Sequence, residues 1–426
     1  MPRTEGDGEI TRIGSNLLDA ASGAGFQSAP PAFVRVAFVQ VNRKAAARIA
    51  GGHPWIFRSD ILDTGEAAPG DVVKVVVGGN AERNKPLCQA HYSSTSQIAL
   101  RRIPDPLDWR AALAAASAFR ERYVTGTDAF RLVHAEADFL PALIIDRYGD
   151  RYGDRYGGYF TLQALDQGMD RATPEIVQAL IEVFQPKGIV ARNDAAVRTQ
   201  ENLPRETRVL HGEIPPSIAV HMNGLELHAD LLHGQKTGIF LDQRENYLAA
   251  ARYARGRALD CFTSSGGFAL HMAAHCEHVE GVDSSERALL TAEQNRIANG
   301  IANVQFREAD VFHLLSGQPA DRRYDTIVLD PPAFAKSRKQ LDRALGAYKE
   351  INLRALKMLS SGGILVSCSC SHHVTEADLL GVIAQAALDA HRTLRVLERR
   401  TQSPDHPILL TVPETHYLKC LIFECL

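Results

Sequence analysis

The sequence predicts an α/β chain whose C-terminal half holds a parallel sheet covered on both faces, and three observations predict it. Five short apolar strand patterns, 258–262, 279–283, 304–310, 326–330 and 363–370, are spaced by helical patterns. Repeated strand–helix units of this kind demand a parallel sheet with helices on both faces. Each strand pattern closes on a polar residue: Asp260, Asp283, Asp310, Asp330 and Cys370. Finally, 45% hydrophobic and 23% charged residues over 426 positions lie in the ordinary globular range, which excludes disorder, collagen-like repeats and coiled coil as the main architecture.

The elements follow in order. Residues 1–32 carry Glu5, Asp7, Glu9 and Asp19 without an apolar run, so they read as a flexible leader and not as a secretory signal. Residues 33–104 hold short β patterns at 33–38, 71–77 and 96–101, separated by turn signals such as Gly51-Gly52, Pro69-Gly70 and Gly78-Gly79-Asn80. These predict a small β barrel, closed by Pro104-Asp105-Pro106. An alanine-rich helix over 111–119 opens a central α/β region, 105–215, which ends at Pro215-Pro216. Inside it Arg147-Tyr148-Gly149-Asp150 recurs at 151–154 and as RYGG at 155–158, a local duplication far below solenoid length. The last region, 216–426, holds the parallel sheet, with 394–399 and 417–424 as an antiparallel end. Seven cysteines without a signal point to the reducing cytoplasm, and no apolar run approaches the ~20 residues that span a bilayer.

The formal charge of −3, from 47 basic and 50 acidic residues, argues against a generally basic nucleic-acid binder. The average hides two basic stretches. Residues 32–59 hold Arg35, Arg43, Lys44, Arg48 and Arg58 and no acid. Residues 335–357 hold Lys336, Arg338, Lys339, Arg343, Lys349, Arg354 and Lys357 against Asp342 and Glu350. Both suit a localised polyanion site, and each alone also suits a solvated helix face.

In an open α/β sheet, ligands bind beyond the carboxyl ends of the strands. The turn Asp260-Cys261-Phe262-Thr263-Ser264-Ser265-Gly266-Gly267 has adjacent glycines that let the backbone approach a ligand closely. Asp283 is placed to accept from ribose hydroxyls. The three-glycine dinucleotide fingerprint is absent, and Asp260 would repel a pyrophosphate. An adenosyl cofactor with a cationic amino-acid end, such as S-adenosylmethionine, suits the acids better; the bland alternative is that the acids cap helix N-termini.

Asp330-Pro331-Pro332-Ala333-Phe334 leaves its strand through a rigid double-proline turn that presents the aspartate to a planar, amine-bearing ring. This points to nucleobase methylation, with the basic run from Lys336 through Arg338 and Lys339 holding phosphates beside the site. Methylating an exocyclic nitrogen needs no protein nucleophile, whereas methylating cytosine carbon 5 needs a thiolate on carbon 6. Cys368 and Cys370 share a strand face by the period of two. Cys370 is nearer the carboxyl end and the better nucleophile, although cysteine is equally a small core residue. His271, His275, His278 and Cys276 have helical spacing, but their helix must pack on the sheet, so no metal is expected.

Four stretches occur in order: 131–138 (RLVHAEAD) with Pro141 and 146–150, 237–246 (TGIFLDQREN), 330–334, and Ser369-Cys370-Ser371. Together they resemble the bacterial 23S rRNA 5-methylcytosine methyltransferases of the RlmI type, over nearly all of the chain after residue 32. The resemblance implies an N-terminal β-barrel PUA domain for RNA, a central α/β domain and a class I Rossmann-like methyltransferase domain, in a homodimer acting on 23S rRNA. It implies that Phe240, Asp242, Gln243 and Arg244 border the methionine end of S-adenosylmethionine. Asp260, Phe262, Ser264, Gly266 and Gly267 would form its central turn, with Asp283 at the ribose and Asp310 at the adenine. Asp330 would orient the cytosine, with Pro331, Pro332 and Phe334 beside it, and Cys370 would be the covalent nucleophile. His53-Pro54-Trp55-Ile56-Phe57 resembles the Gly-His-Pro-Trp stretch of the PUA domain. Two features depart from the pattern: the RYGD duplication, and the neighbouring Cys368 beside the nucleophile. No second cysteine follows Pro332, unlike in the larger group of RNA cytosine methyltransferases, so product release needs another base. Two other readings stay open, methylation of another rRNA base at an exocyclic nitrogen and a non-catalytic RNA-binding assembly factor.

Overall fold

A computed structural model describes residues 36–78, 85–149, 157–234, 236–317, 323–335 and 337–426. The leader, Arg35, Lys336 and most of the RYGD duplication (150–156) lie outside the described residues.

Six strands between Phe38–Val41 and Ile98–Ile103 form the first sheet. In Val72–Val77 the period of two sends Val73 and Val75 into a core with Val39, Val41, Ile56, Ala90 and Leu100, while Lys74 turns out to pair with Asp105. The two edge strands, Trp55–Phe57 and Ile61–Asp63, are joined only by Arg58–Asp60, so the sheet curls around that core. Of the strand expected over 33–38, residues 33–35 lie outside the described residues; the described strand is Phe38–Val41, in which Val39 and Val41 are the inward residues. The basic stretch behind it forms a helix, Arg43–Ala50, capped by the Asn42 side chain on the Ala45 amide. Arg43 and Lys44 are exposed on it, and Arg48 pairs with Asp60 at 2.6 Å.

A five-stranded sheet spans Ala129–His134 to Glu206–Gly212, with strands in sequence order. Helices Trp109–Tyr123 and Gln167–Phe184 cover it, with Leu113, Met169, Ile176 and Phe184 packing on Phe130, Leu132 and Leu162. A hairpin, Ile218–Met222 with Leu225–Ala229, follows.

The third sheet positions the site. Its strands are β1 (Arg257–Cys261), β2 (His278–Asp283), β3 (Val304–Glu308), β4 (Tyr324–Leu329), β5 (Leu359–Ser369), β6 (Leu394–Arg400) and β7 (Lys419–Cys425). They lie in the order β3-β2-β1-β4-β5-β7-β6. Strands β1 to β5 are parallel, and β7 runs antiparallel to both β5 and β6. The order reverses between β1 and β4, which opens a crevice at their carboxyl ends. Alternate residues feed two cores: Ala258, Val328 and Val366 face one side, packed with Tyr247, Phe268 and Met272. Leu259, Ile327 and Leu365 face the other, packed with Tyr348, Ile351 and Leu379. Helices α1 (Arg244–Tyr253) and α2 (Gly267–Met272) supply the first layer; α5 (Leu341–Met358) and α6 (Glu376–Asp389) supply the second, after α3 (Glu286–Ala298) and α4 (Val311–Gly317). All seven cysteines are free. Among the described residues no helix is long and apolar enough to cross a membrane.

Candidate active site

A cavity of about 280 Å³ opens at the carboxyl ends of β1, β2, β4 and β5, near the lower end of small-molecule sites. Of the residues singled out in the sequence, Phe240, Asp242, Gln243, Phe262, Ser264, Gly267, Asp283, Asp330, Pro331, Pro332 and Cys370 line it. Residues between Phe240 and Cys370 thus converge on one crevice only because β1, β2, β4 and β5 end side by side.

The turn after β1 is tightly wound. Phe262, Ser264 and Gly266 all have positive φ (64°, 49° and 87°), and the Ser264 amide donates to Asp283 Oδ2 at 2.9 Å. Asp283 Oδ1 also takes the Ser285 amide at 2.9 Å, so the carboxylate ties the ends of β1 and β2 together and keeps lone pairs for a ligand. Gly267 is needed for close approach, since a Cβ there would lie 2.4 Å from the Tyr247 ring.

The acids differ in charge state. Asp242 Oδ2 accepts from Lys236 Nζ and from the Tyr417 hydroxyl, both at 2.7 Å. Burial pushes its pKa up, but Lys236, His406 and these bonds outweigh burial and hold the carboxyl well below its ordinary range. Asp260 is fully buried; burial raises it to about 7 despite bonds from Thr263 and the Ala269 amide. Asp330 is also raised to about 7, first by burial and then by the Asp242 charge. Among the described residues, Asp242 Oδ1 and Asp260 Oδ1 are buried with no hydrogen-bond partner. Unsatisfied carboxylate oxygens are costly, and a ligand with a cationic amino group and hydroxyls would satisfy them, which is the chemistry of S-adenosylmethionine.

The two cysteines at the end of β5 separate. Cys368 is buried in the core among Val366, Cys420 and Phe268, and burial drives its thiol well above the ordinary value. Cys370 lies one residue beyond the strand, in the cavity wall, with Sγ 4.0 Å from the Pro331 carbonyl. Burial, then Asp330, raise its thiol to about 11.

Other expected residues stand outside the wall. Arg244 is fully buried and pairs with Asp405 at 3.2 Å. Asp310 is exposed and takes the His313 amide at 2.8 Å, capping α4. Asp260 and Gly266 shape the turn from behind. Phe334 packs on Tyr348 and Phe312, with centroids 4.7 and 5.9 Å away. Arg338 and Lys339 are exposed at the start of α5 with Arg343, whereas Lys349 and Arg354 are taken up by Asp389 and Glu350. His271 donates through Nδ1 to the Gly267 carbonyl (2.6 Å) and stacks on Tyr247. Among the described residues no group of three or more His, Cys, Asp or Glu side chains could hold a metal.

Thr263, Ser265 and Phe268, in or next to the turn read from the sequence, also line the cavity, and sequence reasoning missed Lys236, Tyr247, Ser284, Ser285 and Leu418 there. Lys236 had a signal: it is the one base beside the 237–246 stretch on its N-terminal side. Tyr247 and Leu418 had none, being an ordinary aromatic and an ordinary aliphatic in amphipathic segments.

A curled six-stranded barrel joined to a seven-stranded sheet with this crevice defines a methyltransferase carrying a PUA-like domain. Residues 39–103 match the family model of a PUA-like domain and residues 254–404 that of a methyltransferase domain. The chain is 38% identical over 392 residues to ribosomal RNA large subunit methyltransferase I of Tolumonas auensis, covering 88% of this chain and 96% of that one. It is 35% identical over 411 residues to the protein of that name from Klebsiella pneumoniae, covering 91% and 97%. A SAM-dependent methyltransferase from Streptococcus mutans shares the fold, with a TM-score of 0.73 and 21% identity over 91% of this chain and 99% of that one. The chain belongs to the ribosomal RNA large subunit methyltransferase I family. S-adenosylmethionine is the cofactor that such a methyltransferase uses.

Proposed function

We propose that this protein methylates carbon 5 of a cytosine in 23S rRNA, with S-adenosylmethionine as methyl donor and Cys370 as covalent nucleophile, as a cytoplasmic homodimer. The observation that carries the chemistry is the placement of Cys370: it alone of the two β5 cysteines shares the cavity wall with Asp330 and Pro331. The names of the relatives support large-subunit rRNA as the substrate, and exposed Arg43, Lys44, Arg338, Lys339 and Arg343 supply phosphate contacts.

Asp242 would hold the amino end of the cofactor, the 262–267 turn its centre and Asp283 the ribose; when bound, it supplies an electrophilic methyl group. The residues of the chain do the rest. Cys370 gives its proton to solvent, and the thiolate bonds carbon 6, which makes carbon 5 nucleophilic. Asp330, with a carboxyl pKa near neutrality, donates a proton to the ring nitrogen as the sulfur adds. After methylation the carbon 5 proton leaves to a base, and as the sulfur–carbon bond breaks the ring nitrogen returns its proton to Asp330, restoring thiolate and a neutral aromatic ring.

Nucleoside mass spectrometry of 23S rRNA treated with the protein should yield 5-methylcytidine. A methyl group found on an exocyclic nitrogen would overturn the assignment. That second reading has one observation in its favour, the thiol raised to about 11 in the free protein, which leaves little thiolate at neutral pH. Asp283→Ala is expected to weaken cofactor binding roughly 10- to 100-fold, the loss of hydrogen bonds to a charged group worth about 1.5–3 kcal/mol. Titration calorimetry with S-adenosylmethionine checks it, and an unchanged Kd would remove Asp283 from the cofactor site.

A further inference from the structure

Asp242 lines the cavity and is 3% exposed. The torsion that turns an aspartate carboxyl is broad and roughly two-fold, so its two oxygens keep fixed places only where hydrogen bonds hold them. Two donors share Oδ2, Lys236 Nζ and the Tyr417 hydroxyl, each at 2.7 Å. The Asp242 carbonyl accepts from the amide and the hydroxyl of Ser403 at 2.9 and 3.0 Å. Oδ1 has no hydrogen-bond partner among the described residues. A carboxylate accepts and does not donate, so with both lone pairs of Oδ2 taken, the acceptor that remains for a cation is Oδ1.

The two donors differ in kind. Lys236 is an exposed residue of the cavity wall, a charge on a flexible four-carbon stem. Tyr417 does not line the cavity; it reaches Asp242 from the segment between β6 and β7. Its ring packs on His134 and His372, with centroids 6.2 and 5.4 Å away. Its carbonyl accepts from Lys419 Nζ at 2.8 Å, which donates also to the Ser371 carbonyl at 2.7 Å. The next carbonyl, of Leu418, accepts from the Thr401 hydroxyl at 3.0 Å. Ring and backbone are both held, so the hydroxyl has one place to go.

We propose that Tyr417 is a positioning residue for the cofactor: its hydroxyl fixes the Asp242 carboxylate so that Oδ1 meets the ammonium of the amino-acid end of S-adenosylmethionine, and the site thereby selects ligands that carry that end. The inference rests on the reading of Asp242 above as the residue that holds the amino end. Ammonium–carboxylate bonds are charge-assisted and roughly twice as strong as neutral ones. A preset acceptor gains more of that strength, because no orientation has to be lost on binding.

The test compares two ligands by titration calorimetry on the full chain: S-adenosylhomocysteine, which keeps the amino-acid end of the cofactor, and 5′-methylthioadenosine, which lacks it. Tyr417→Phe keeps the ring against His134 and His372 and removes only the hydroxyl. It should weaken S-adenosylhomocysteine about tenfold and leave 5′-methylthioadenosine within about twofold of the wild type. Equal weakening of both ligands would mark a merely structural role and overturn the inference, as would an unchanged Kd for S-adenosylhomocysteine. Asp242→Ala should weaken S-adenosylhomocysteine and abolish the effect of Tyr417→Phe; a second, additive loss in the double variant would show that the hydroxyl acts elsewhere. If Asp242→Ala binds S-adenosylhomocysteine as the wild type does, the reading of Asp242 fails and the inference with it. If Asp242→Ala loses that ligand and Tyr417→Phe does not, the inference alone fails.

Discussion

Cys370→Ala is expected to lower methyl transfer to rRNA at least about 10³-fold, the scale of losing a covalent nucleophile, with cofactor affinity little changed. Carbon 5 of cytosine is not nucleophilic until sulfur has added to carbon 6, so no other group in the cavity can substitute. Cys370 sits past the end of β5, half-buried, and its Sγ lies 4.0 Å from the Pro331 carbonyl. Truncation to alanine therefore leaves the ladder of β5 with β4 and β7 intact. Cys368→Ala gives the contrasting control. It opens a hole in the core beside Cys420 and Phe268 and should lower stability while leaving the chemical step in place. Single-turnover methyl transfer together with calorimetry separates the two. Full activity in Cys370→Ala would end the covalent mechanism in favour of direct attack by a nitrogen.

Asp405→Asn is expected to cost about 3–5 kcal/mol of stability, because removing one partner of a buried pair leaves the other charge uncompensated. Asp405 is fully buried in the segment between β6 and β7. It accepts from Arg244 Nη2 at 3.2 Å and from the Arg131 amide at 2.9 Å, and its carbonyl accepts from Arg120 at 2.9 Å. One side chain thus joins the central sheet, α1 and the cavity-bearing sheet. Burial raises its pKa, but His406, Arg244 and the Arg131 amide outweigh burial and hold the carboxyl far below its usual range. A depressed folded pKa contributes stability that is complete above the unfolded value, about 3.9, and is lost as pH falls through the folded one. The gap between wild type and Asp405→Asn should therefore be constant from neutrality down to about pH 5 and shrink below it. Urea unfolding at a series of pH values measures this. A gap under about 1 kcal/mol at neutral pH, the worth of a surface pair, would show that the pair is not what holds these segments.

Much of the architecture was legible because it is periodic. The strand–helix rhythm from Ala258 onward reports a two-faced sheet, since alternate residues must feed opposite cores, as Ala258 and Leu259 do. The polar residues closing β1, β2, β4 and the β5 segment were legible as a group because parallel strands put their carboxyl ends on one edge. Periodicity did not separate Cys368 from Cys370. Both belong to one face by a count of two, and only the end of β5 at Ser369 decides that one is packed against Cys420 and the other faces the crevice.

Charge was harder to place. Arg244 and Asp310 read as cofactor neighbours from their motifs, yet one is held by a carboxylate 161 residues away and the other caps its own helix. The 131–138 stretch has a structural part that its sequence did not show: Arg131 pairs with Asp146 at 2.7 Å, and Asp138 pairs with Arg120. The His-Pro-Trp stretch is similar. Trp55 Nε1 donates to Glu136 at 2.8 Å and His53 lies 3.3 Å from Glu414, so these side chains join the barrel to segments of the other two sheets.

The sequence by itself determined the order of strands and helices, the polar strand ends and the Asp-Pro-Pro turn, because these depend on local periodicity and backbone restriction. The tertiary structure decided which charged side chain meets which. Lys236 with Asp242, Arg244 with Asp405 and Lys419 with the Ser371 and Tyr417 carbonyls are fixed by sheet order and burial. A desolvated charge must find its partner in space, whatever the distance along the chain.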